Sequence, residues 1–524
     1  MEKGRTKGTT VVGGALSLTI ATLTVKILGV IYKIPLASIL GEEGMGYFNS
    51  AYTVYAFFYL LCTAGVPKAV MMLVTESEAE GGGKSYAVAR AATGAFAVIG
   101  AVITISFVLL SAPLSRLIGN SASRATMLAV APSIIFVSIS GVVRGVLNAR
   151  MRLAEIAVSQ ILEGVGKLVF GLALAMLASR LSLPLYLCSA LTIIGVSLGA
   201  IIGLIYLLAV LKPNKSSNKP RQKIRFSERK SLLKRILSIS LPITAGAAVM
   251  SLSNLIDLSL IMRRLESLGY SEAEAGALYG NYTTLAVPIF NLVISIITPV
   301  SIAFMPIFAR ARVSADKGLR DAALRDSLEL SAIITAPLLF GTLAFSEQIL
   351  SILFSNMNIS LGAPLLCLLI PAVFFVSPLL IINSALEAQG HLRAPLISML
   401  VGALTKLVTS YLLLGRADFG ISGAPIGTVV SYAAALCTSL FVAFSSTDLR
   451  PPLLFTQIAS YPASLVSVAV AKLLFDKLAC RLGVTPTFAL AVLICAAMYF
   501  LCLLLLGRLT PERIRKMSKY TKPA

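Results

Sequence analysis

The sequence predicts an all-α membrane protein of about fourteen transmembrane helices. Of its 524 residues, 57% are hydrophobic and only 13% are charged, and the mean hydropathy is +0.88. A soluble domain keeps about a quarter of its residues charged. Apolar runs long enough to cross a hydrocarbon core of about 30 Å recur along the whole chain. These runs lack the alternation of strands, so helices must satisfy the backbone polar groups within lipid.

The fourteen predicted helices are joined by short polar connections. Their ranges are 11–40, 46–73, 86–111, 124–147, 153–178, 184–211, 232–262, 278–308, 322–345, 363–388, 394–415, 421–446, 453–475 and 486–507. The first apolar run is longer than the core of a signal peptide, so we expect it to remain as the first helix. Six of the seven cysteines lie in apolar runs, which indicates packing residues instead of a disulfide framework.

The net charge of +22 is concentrated in short loops and at the termini. In a soluble protein this charge would indicate nucleic-acid binding, but here its distribution indicates membrane orientation. The N-terminus, the loop 212–235 and the C-terminal tail are all basic, and an even number of helices puts them on one side. The positive-inside rule therefore predicts a multi-pass protein of the inner (cytoplasmic) membrane with both termini in the cytoplasm. The acidic segment 266–274 then lies outside, and no nucleic-acid partner is expected.

An internal repeat divides the chain at the basic loop. Identical residues recur 239 positions later (132 to 371): Pro132, Phe136-Val137-Ser138, Ala149 and Lys167-Leu168-Val169. We predict a six-helix lobe at 1–211, a basic cytoplasmic linker at 212–231, a second six-helix lobe at 232–446, and helices thirteen and fourteen with a basic cytoplasmic tail at 447–524. Each lobe has an even number of helices, so the two repeats run parallel, with a substrate site expected between them.

Several motifs are specific enough to indicate a family. They are Lys26-Ile-Leu-Gly-Val-Ile-Tyr-Lys33-Ile-Pro35, Leu40-Gly41-Glu42-Glu43-Gly44-Met45-Gly46, Thr63-Ala-Gly-Val-Pro67, and Leu241-Pro242 with Asp257 and Arg263-Arg264. They resemble the stage V sporulation protein B and polysaccharide-exporter branch of the multidrug/oligosaccharidyl-lipid/polysaccharide exporter superfamily. The resemblance implies two six-helix lobes plus two helices, and a function related to that of the lipid II flippase, which carries undecaprenyl-pyrophosphate-linked peptidoglycan precursor outward.

The resemblance also implies a cationic cavity for the pyrophosphate and a groove for the polyprenyl tail along the last two helices. In the flippase, basic residues on helices one, two and eight line the cavity. The corresponding substrate-binding candidates in this sequence are Lys26 and Lys33 in helix one, Lys68 in helix two, and Arg263 and Arg264 at the end of helix seven. Lysine stands where arginine is usual in the first two helices, and lysine binds phosphate as a point charge without a planar fork. Only Glu42 or Glu43 loosely matches the acid at the cavity mouth of the flippase.

The spacing of the buried charges gives an independent argument for an anion site. A charge at membrane depth costs roughly 2.5–3.5 kcal/mol on insertion scales, so each one needs a reason. Lys26 and Lys33 are nearly two helical turns apart and should share a face, although Lys33 could instead snorkel to a headgroup. Lys68 follows Pro67, which we expect to kink helix two; a structural kink with a snorkelling lysine is the alternative.

The remaining candidates each have a structural alternative. Asp257, with Asn254 one turn before it, could balance a cavity lysine or accept H⁺ or Na⁺; a structural ion pair is the alternative. Arg263 and Arg264 could equally be interfacial anchors, which is the common role of cations at a helix end.

Three further expectations concern residues outside this candidate set. Glu163 precedes Lys167 by four residues, an order that favours an intrahelical ion pair. Arg144 lies near the predicted inner end of a helix, so we expect it to be solvated. The pattern Gly195-x-x-x-Gly199, like a second one at 423–427, predicts close helix contacts.

Together these features favour a flippase that moves an anionic polyprenyl-pyrophosphate-linked saccharide by alternating access, with the peptidoglycan precursor as the preferred substrate, for the cell wall or the spore cortex. No cofactor is expected, and the membrane potential or a Na⁺ or H⁺ gradient would supply direction. Two alternatives remain open. An ion-coupled drug exporter of the same superfamily would prefer an acidic, aromatic cavity, and a membrane glycosyltransferase or polymerase would usually need a larger extramembrane loop than this sequence has.

Overall fold

The computed structural model describes residues 2–79, 85–211, 226–314, 316–354, 356–447, 452 and 460–508. In this part of the chain all regular structure is helical, and no strand is present. The α-helices are α1 (Glu2–Thr63), α2 (Val66–Ala79), α3 (Ser85–Leu117), α4 (Ser123–Val130), α5 (Ser133–Ala149), α6 (Leu153–Arg180), α7 (Leu185–Val210), α8 (Phe226–Ser267), α9 (Glu272–Asn281), α10 (Val287–Val313), α11 (Lys317–Ala344), α12 (Ser346–Leu353), α13 (Ile359–Leu369), α14 (Ala372–Ala388), α15 (Ala394–Leu414), α16 (Gly423–Ser446), α17 (Ser460–Leu482) and α18 (Val484–Leu505).

This architecture confirms the predicted all-α membrane class. Ten helical stretches of the described chain are long and apolar enough to cross a membrane, or eleven if α13 and α14 form one bent span. One of these stretches, Thr24–Glu78, contains most of the first two predicted helices. Helical segments occur at all fourteen predicted positions, so the structure is consistent with the predicted number.

The helix breaks near the N-terminus have local causes. Within α1, Gly41 has φ 66°, a left-handed conformation that glycine adopts without a steric penalty. The predicted helix 46–73 is not continuous, because α1 ends at Thr63 and α2 begins at Val66. Pro67 therefore lies in the first turn of α2, where its missing N–H costs nothing. The helix predicted at 46–73 is therefore interrupted just before Pro67 instead of continuing through a kink.

The internal repeat is visible in the helix bounds. α5 and α14 each contain 17 residues, and each begins directly after a proline, Pro132 or Pro371. Their first and last residues are related by the same 239-residue offset as the sequence motifs (133 to 372 and 149 to 388). A short helix, α4 or α13, precedes each of them. The equivalent sequences therefore form the same broken-helix element in both halves.

The chain forms two compact units, residues 1–280 and 281–524. In the first unit, α6 packs along α7, and α1 packs on α5, α6, α7 and α8. Glycine permits the close approach of α6 and α7: a Cβ at Gly199 would lie 2.5 Å from the carbonyl oxygen of Glu163, and one at Gly166 would lie 2.8 Å from the Cα of Gly199. The predicted helix contact at Gly195 and Gly199 is confirmed.

In the second unit, α15 packs along α16, α10 packs on α11 and α14, and α17 packs on α11 and α18. A Cβ at Gly423 would lie 2.8 Å from the backbone nitrogen of Leu414, which confirms the second predicted glycine contact. The lobes predicted at 1–211 and 232–446 and the part at 447–524 remain predictions. Most of the predicted linker 212–231 and the tail after residue 508 lie outside the described residues.

Candidate functional site

An aromatic stripe runs along the second half of α1. Phe48, Tyr52, Tyr55 and Tyr59 follow one another at spacings of four, three and four residues, which places them on one helix face. Successive ring centroids lie 6.1, 5.8 and 5.8 Å apart. The stripe gives the first unit a wall that is both apolar and rich in hydroxyl groups.

Lys167 of α6 lies against this wall. Its Nζ is 4.4 Å from the ring centroid of Tyr52 and 5.4 Å from that of Tyr32, distances at which a cation is attracted to a ring face. Tyr32 is only 2% exposed, and its hydroxyl has no hydrogen-bond partner within the described part of the chain. A Cβ at Gly171 would lie 2.6 Å from this hydroxyl oxygen, so glycine makes room for the ring.

Lys33 places a second ammonium group within electrostatic range of Lys167. It follows Tyr32 on α1, is half-buried, and lies close enough to Lys167 to interact with it electrostatically. Two cations from different helices repel each other, and a bound anion would turn this repulsion into attraction. The geometry of this cation pair is therefore suited to an anionic group.

A buried ion pair lies at the far end of the aromatic stripe. Arg144 of α5 donates from Nη2 to Oε2 of Glu163 at 2.7 Å, and the two side chains are 12% and 26% exposed. Tyr59 lies beside the same guanidinium group. The expected Glu163–Lys167 pair was wrong, because the guanidinium of Arg144 binds the carboxylate across the α5–α6 contact. The expectation of a solvated Arg144 was also wrong.

The other predicted cations lie in different surroundings. Lys26 and Lys68 have exposed side chains, and Arg264 is half-buried. Arg263 donates to the carbonyl oxygens of Arg116 and Leu117 and pairs with Glu266 at 3.1 Å. These carbonyls end α3 and lack intrahelical partners, so Arg263 caps α3 and fastens it to α8.

The predicted acids lie on two helices, α1 and α8. Asp257 is 9% exposed on α8 and lies near Tyr279 of α9, and Asn254 is exposed. Glu43 accepts a hydrogen bond from the Tyr47 hydroxyl, and Glu42 is half-buried. Within the described ranges, no three His, Cys, Asp or Glu side chains lie close enough together to bind one metal ion.

The candidate set from the sequence included Lys33 but not Lys167, Arg144 or the tyrosines. Two signals in the sequence could have identified them. The aromatic stripe has strict helical spacing, and Lys167 has a repeat counterpart in Lys406. In the second unit, Lys406 lies near Tyr432, so each unit places this repeated lysine next to a tyrosine.

An apolar cavity of about 260 Å³ lies in the second unit between α11, α12 and α18. Its lining includes Gly341, Phe345, Ile349, Phe488, Val492 and Ala496. The Nζ of Lys472 on α17 lies 5.3 Å from the ring centroid of Phe345 and 3.4 Å from a carboxylate oxygen of Asp476. A cation thus lies next to one wall of an otherwise apolar space.

A helical membrane fold with a broken-helix repeat and partly buried cations indicates a multi-pass membrane protein of the transporter type. Residues 11–312 match the polysaccharide biosynthesis protein family, and the chain belongs to that family. Residues 282–412 also match the MatE family.

Two relatives come from Bacillus subtilis (strain 168). Stage V sporulation protein B is 22% identical over 426 residues, which cover 79% of this chain and 80% of that protein. Lipid II flippase MurJ is 21% identical over 445 residues, covering 81% of this chain and 80% of that protein. These matches confirm the resemblance on which the sequence predictions were based.

Solved structures share the fold at low sequence identity. The lipid II flippase MurJ in an inward closed conformation has a TM-score of 0.73 at 15% identity, covering 94% of this chain and 98% of that chain. An inward-facing multidrug resistance MATE family transporter has a TM-score of 0.65 at 14% identity, covering 83% of this chain and 99% of that chain.

Proposed function

We propose that this chain is a flippase for an anionic polyprenyl-pyrophosphate-linked saccharide, with the peptidoglycan precursor lipid II as its preferred substrate. The observation that carries the proposal is that Lys33 and Lys167, two cations on different helices, interact electrostatically beside the tyrosines of α1. A pyrophosphate offers enough negative charge to engage both ammonium groups at once. Charge-assisted hydrogen bonds of this kind are about twice as strong as neutral ones.

Each side chain of the cluster has a separate role in this proposal. Lys33 and Lys167 donate to pyrophosphate oxygens. Tyr52 holds the Lys167 ammonium by its ring face, at 4.4 Å from the centroid. Lys26, Lys68, Arg263 and Arg264 remain proposed substrate contacts at other stages of the transport cycle.

The apolar cavity of the second unit suits part of the polyprenyl chain. Its walls come from α11, α12 and α18 and carry almost no polar surface, so an isoprenoid segment would leave lipid without losing apolar contact. This location agrees with the expectation that the last two helices hold the tail. The saccharide and the bilayer are thus the proposed partners.

Orientation and energy supply complete the proposal. Both termini face the cytoplasm, and the substrate moves outward. The membrane potential or a Na⁺ or H⁺ gradient drives the cycle, with Asp257 and Asn254 as the coupling pair and Glu42 and Glu43 as charge-balancing acids.

The test is complementation of a bacterial strain depleted of its own lipid II flippase. The wild-type chain should restore growth, whereas Lys33→Gln and Lys167→Gln should fail at matched membrane levels. Lys477→Gln is the control, because Lys477 is exposed on α17. Rescue by all variants would remove the two lysines from the site. Absence of rescue by a correctly inserted wild-type chain would exclude lipid II, and measurements of drug efflux would then test the exporter alternative.

A further inference from the structure

We infer that Arg144 is a positioning residue: it holds Glu163 away from Lys167 and so keeps the Lys167 ammonium available for the anionic group of the substrate. This inference rests on the proposed function, because Arg144 would act on the proposed substrate site formed by Lys33 and Lys167. It begins from a difference between the sequence pattern and the structure. The pattern pairs Glu163 with Lys167, whereas the structure pairs Glu163 with Arg144.

Glu163 has two cations within reach. Lys167 is one helical turn further along α6, in the acid-first order that favours a local ion pair. Arg144 comes from α5 and lies 2.7 Å from the Glu163 carboxylate. In the structure the carboxylate binds Arg144, and the Lys167 ammonium lies over the ring of Tyr52. The choice of partner for Glu163 therefore decides whether Lys167 is neutralised.

The burial of Arg144 explains this choice. Its side chain is only 12% exposed, and its Nε has no hydrogen-bond partner within the described ranges, so Nη2 carries the contact with Glu163. If Glu163 turned toward Lys167, the guanidinium would be left as a buried charge without an acid beside it, which is strongly unfavourable. Leaving Lys167 without a carboxylate partner costs less, because two tyrosine rings and the substrate can stabilise its ammonium group.

The packing of α7 limits the other positions that Glu163 could take. A Cβ at Gly203 would lie 3.3 Å from the Cβ of Glu163 and 3.7 Å from its Oε2. The Glu163 carboxylate thus lies between α7 and the guanidinium of Arg144 on α5. Tyr55 and Tyr59 of α1 also lie near this carboxylate, but a phenol offers no positive charge to hold it. Arg144 is therefore the cation that holds Glu163 in place from a second helix.

The consequence concerns the charge of the substrate site. With Arg144 present, its guanidinium balances the charge of the Glu163 carboxylate. The ammonium groups of Lys33 and Lys167 can then both bind an anion. Without Arg144, Glu163 forms the local pair with Lys167, and only Lys33 remains for the anion. Loss of Arg144 should therefore weaken anion binding, although Arg144 itself does not touch the anion.

The experiment measures binding of farnesyl pyrophosphate to the purified full-length protein in nanodiscs. Arg144→Gln should weaken binding about tenfold, which corresponds to about 1.4 kcal/mol. Arg144→Gln combined with Glu163→Gln should restore the wild-type Kd to within about threefold. In a Lys167→Gln background, Arg144→Gln should have no further effect. Arg144→Lys should bind almost as tightly as wild type, since a cation still holds Glu163.

Thermal unfolding of each variant separates this role from a purely structural one. An ion pair that only joins α5 to α6 would lower Tm in Arg144→Gln without changing the Kd, and its effect would not depend on Lys167. Wild-type affinity in Arg144→Gln, or failure of Glu163→Gln to restore binding, would overturn the inference alone. A wild-type chain that does not bind farnesyl pyrophosphate would overturn the proposed substrate class and the inference with it.

Discussion

At the residue scale, the surroundings of Lys167 determine what its ammonium group can do. Two tyrosine rings shield it from water, at 4.4 and 5.4 Å from their centroids. A cation–π contact stabilises an ammonium by about 0.5–2 kcal/mol without neutralising it. An acid in the same position would stabilise the charge and also cancel it. Aromatic contacts therefore suit a lysine that must bind an anion.

Substitutions of Tyr52 test this argument. Tyr52→Phe keeps the ring face and should leave the Kd for farnesyl pyrophosphate within about twofold of wild type. Tyr52→Ala removes the ring and should weaken binding about two- to thirtyfold, since about 0.5–2 kcal/mol of cation–π stabilisation is lost. Tyr186→Ala serves as the control, because Tyr186 is exposed at the start of α7. Equal loss in Tyr52→Phe and Tyr52→Ala would instead assign the effect to the hydroxyl group.

The candidate site was only partly predictable at this scale. Lys33 was found because a charge within an apolar run requires an explanation. Lys167 was missed because Glu163, four residues earlier, offered a sufficient local one. Local spacing cannot show that a buried arginine on another helix competes for the same carboxylate. That competition depends on the contact between α5 and α6, which exists only in the folded chain.

At the element scale, the close contact between α6 and α7 fixes the backbone position of Glu163 and Lys167. A Cβ at Gly199 would lie 2.5 Å from the carbonyl oxygen of Glu163 and 2.8 Å from the backbone nitrogen of Lys167. The α6 backbone at Glu163 and Lys167 thus packs directly against α7. Any side chain at position 199 must push α6 away and displace Glu163 and Lys167 together.

Gly199→Ala should therefore destabilise the protein by about 1–3 kcal/mol, the usual cost of overpacking. Thermal unfolding in detergent measures the effect as a lower Tm, and farnesyl pyrophosphate binding should weaken as well. Gly94→Ala is the matched control: Gly94 is also in a helix, but a Cβ there would meet nothing within 4 Å. This control should be neutral or stabilising by up to about 1 kcal/mol, the difference in helix propensity. Similar Tm values for both variants would contradict the close packing of α6 on α7 at Gly199.

Helix positions were more predictable than helix boundaries. The repeat motif at Pro132 and Pro371 identified two equivalent elements, and the structure gives both the same length. Around Pro67, however, the sequence suggested one kinked helix where the chain has a break after Thr63. A proline in a helix interior and a proline in a first turn have the same local pattern. The folded chain distinguishes them: α2 begins at Val66, and the preceding Gly65 packs closely on α8, where a Cβ would lie 2.8 Å from the Cα of Ser240.

At the scale of the whole molecule, the charge distribution predicts orientation in the membrane. We expect Ser267→Cys, at the exposed end of α8, to react with an impermeant maleimide in intact cells. Thr521→Cys in the C-terminal tail should react only after the membrane is permeabilised, because the positive-inside rule places the tail in the cytoplasm. Both variants are made in a background without the native cysteines. Labelling of Thr521→Cys in intact cells would contradict the predicted cytoplasmic C-terminus.

The cavity beside α18 allows a test of how the protein recognises the length of the polyprenyl chain. If the cavity beside α18 holds part of a polyprenyl chain, Ala496→Phe should fill it and displace that segment. The displaced segment exchanges close packing in the cavity for looser packing in lipid, and each lost heavy-atom contact costs about 0.1–0.2 kcal/mol, so losing about ten of them weakens binding about tenfold. Affinity for a full-length undecaprenyl pyrophosphate should fall by this factor. Affinity for farnesyl pyrophosphate should stay unchanged if the short chain does not reach the cavity.

Leu493→Phe is the matched control for this measurement, because Leu493 lies on the same helix but is 68% exposed and does not line the cavity. It should bind both lipids as the wild-type chain does. Unchanged affinity of Ala496→Phe for the long-chain lipid would exclude the cavity as the tail site. Equal loss for both lipids would show that the substitution disturbs binding of the headgroup. A loss confined to the long chain would assign tail recognition to α18 and headgroup recognition to other parts of the protein.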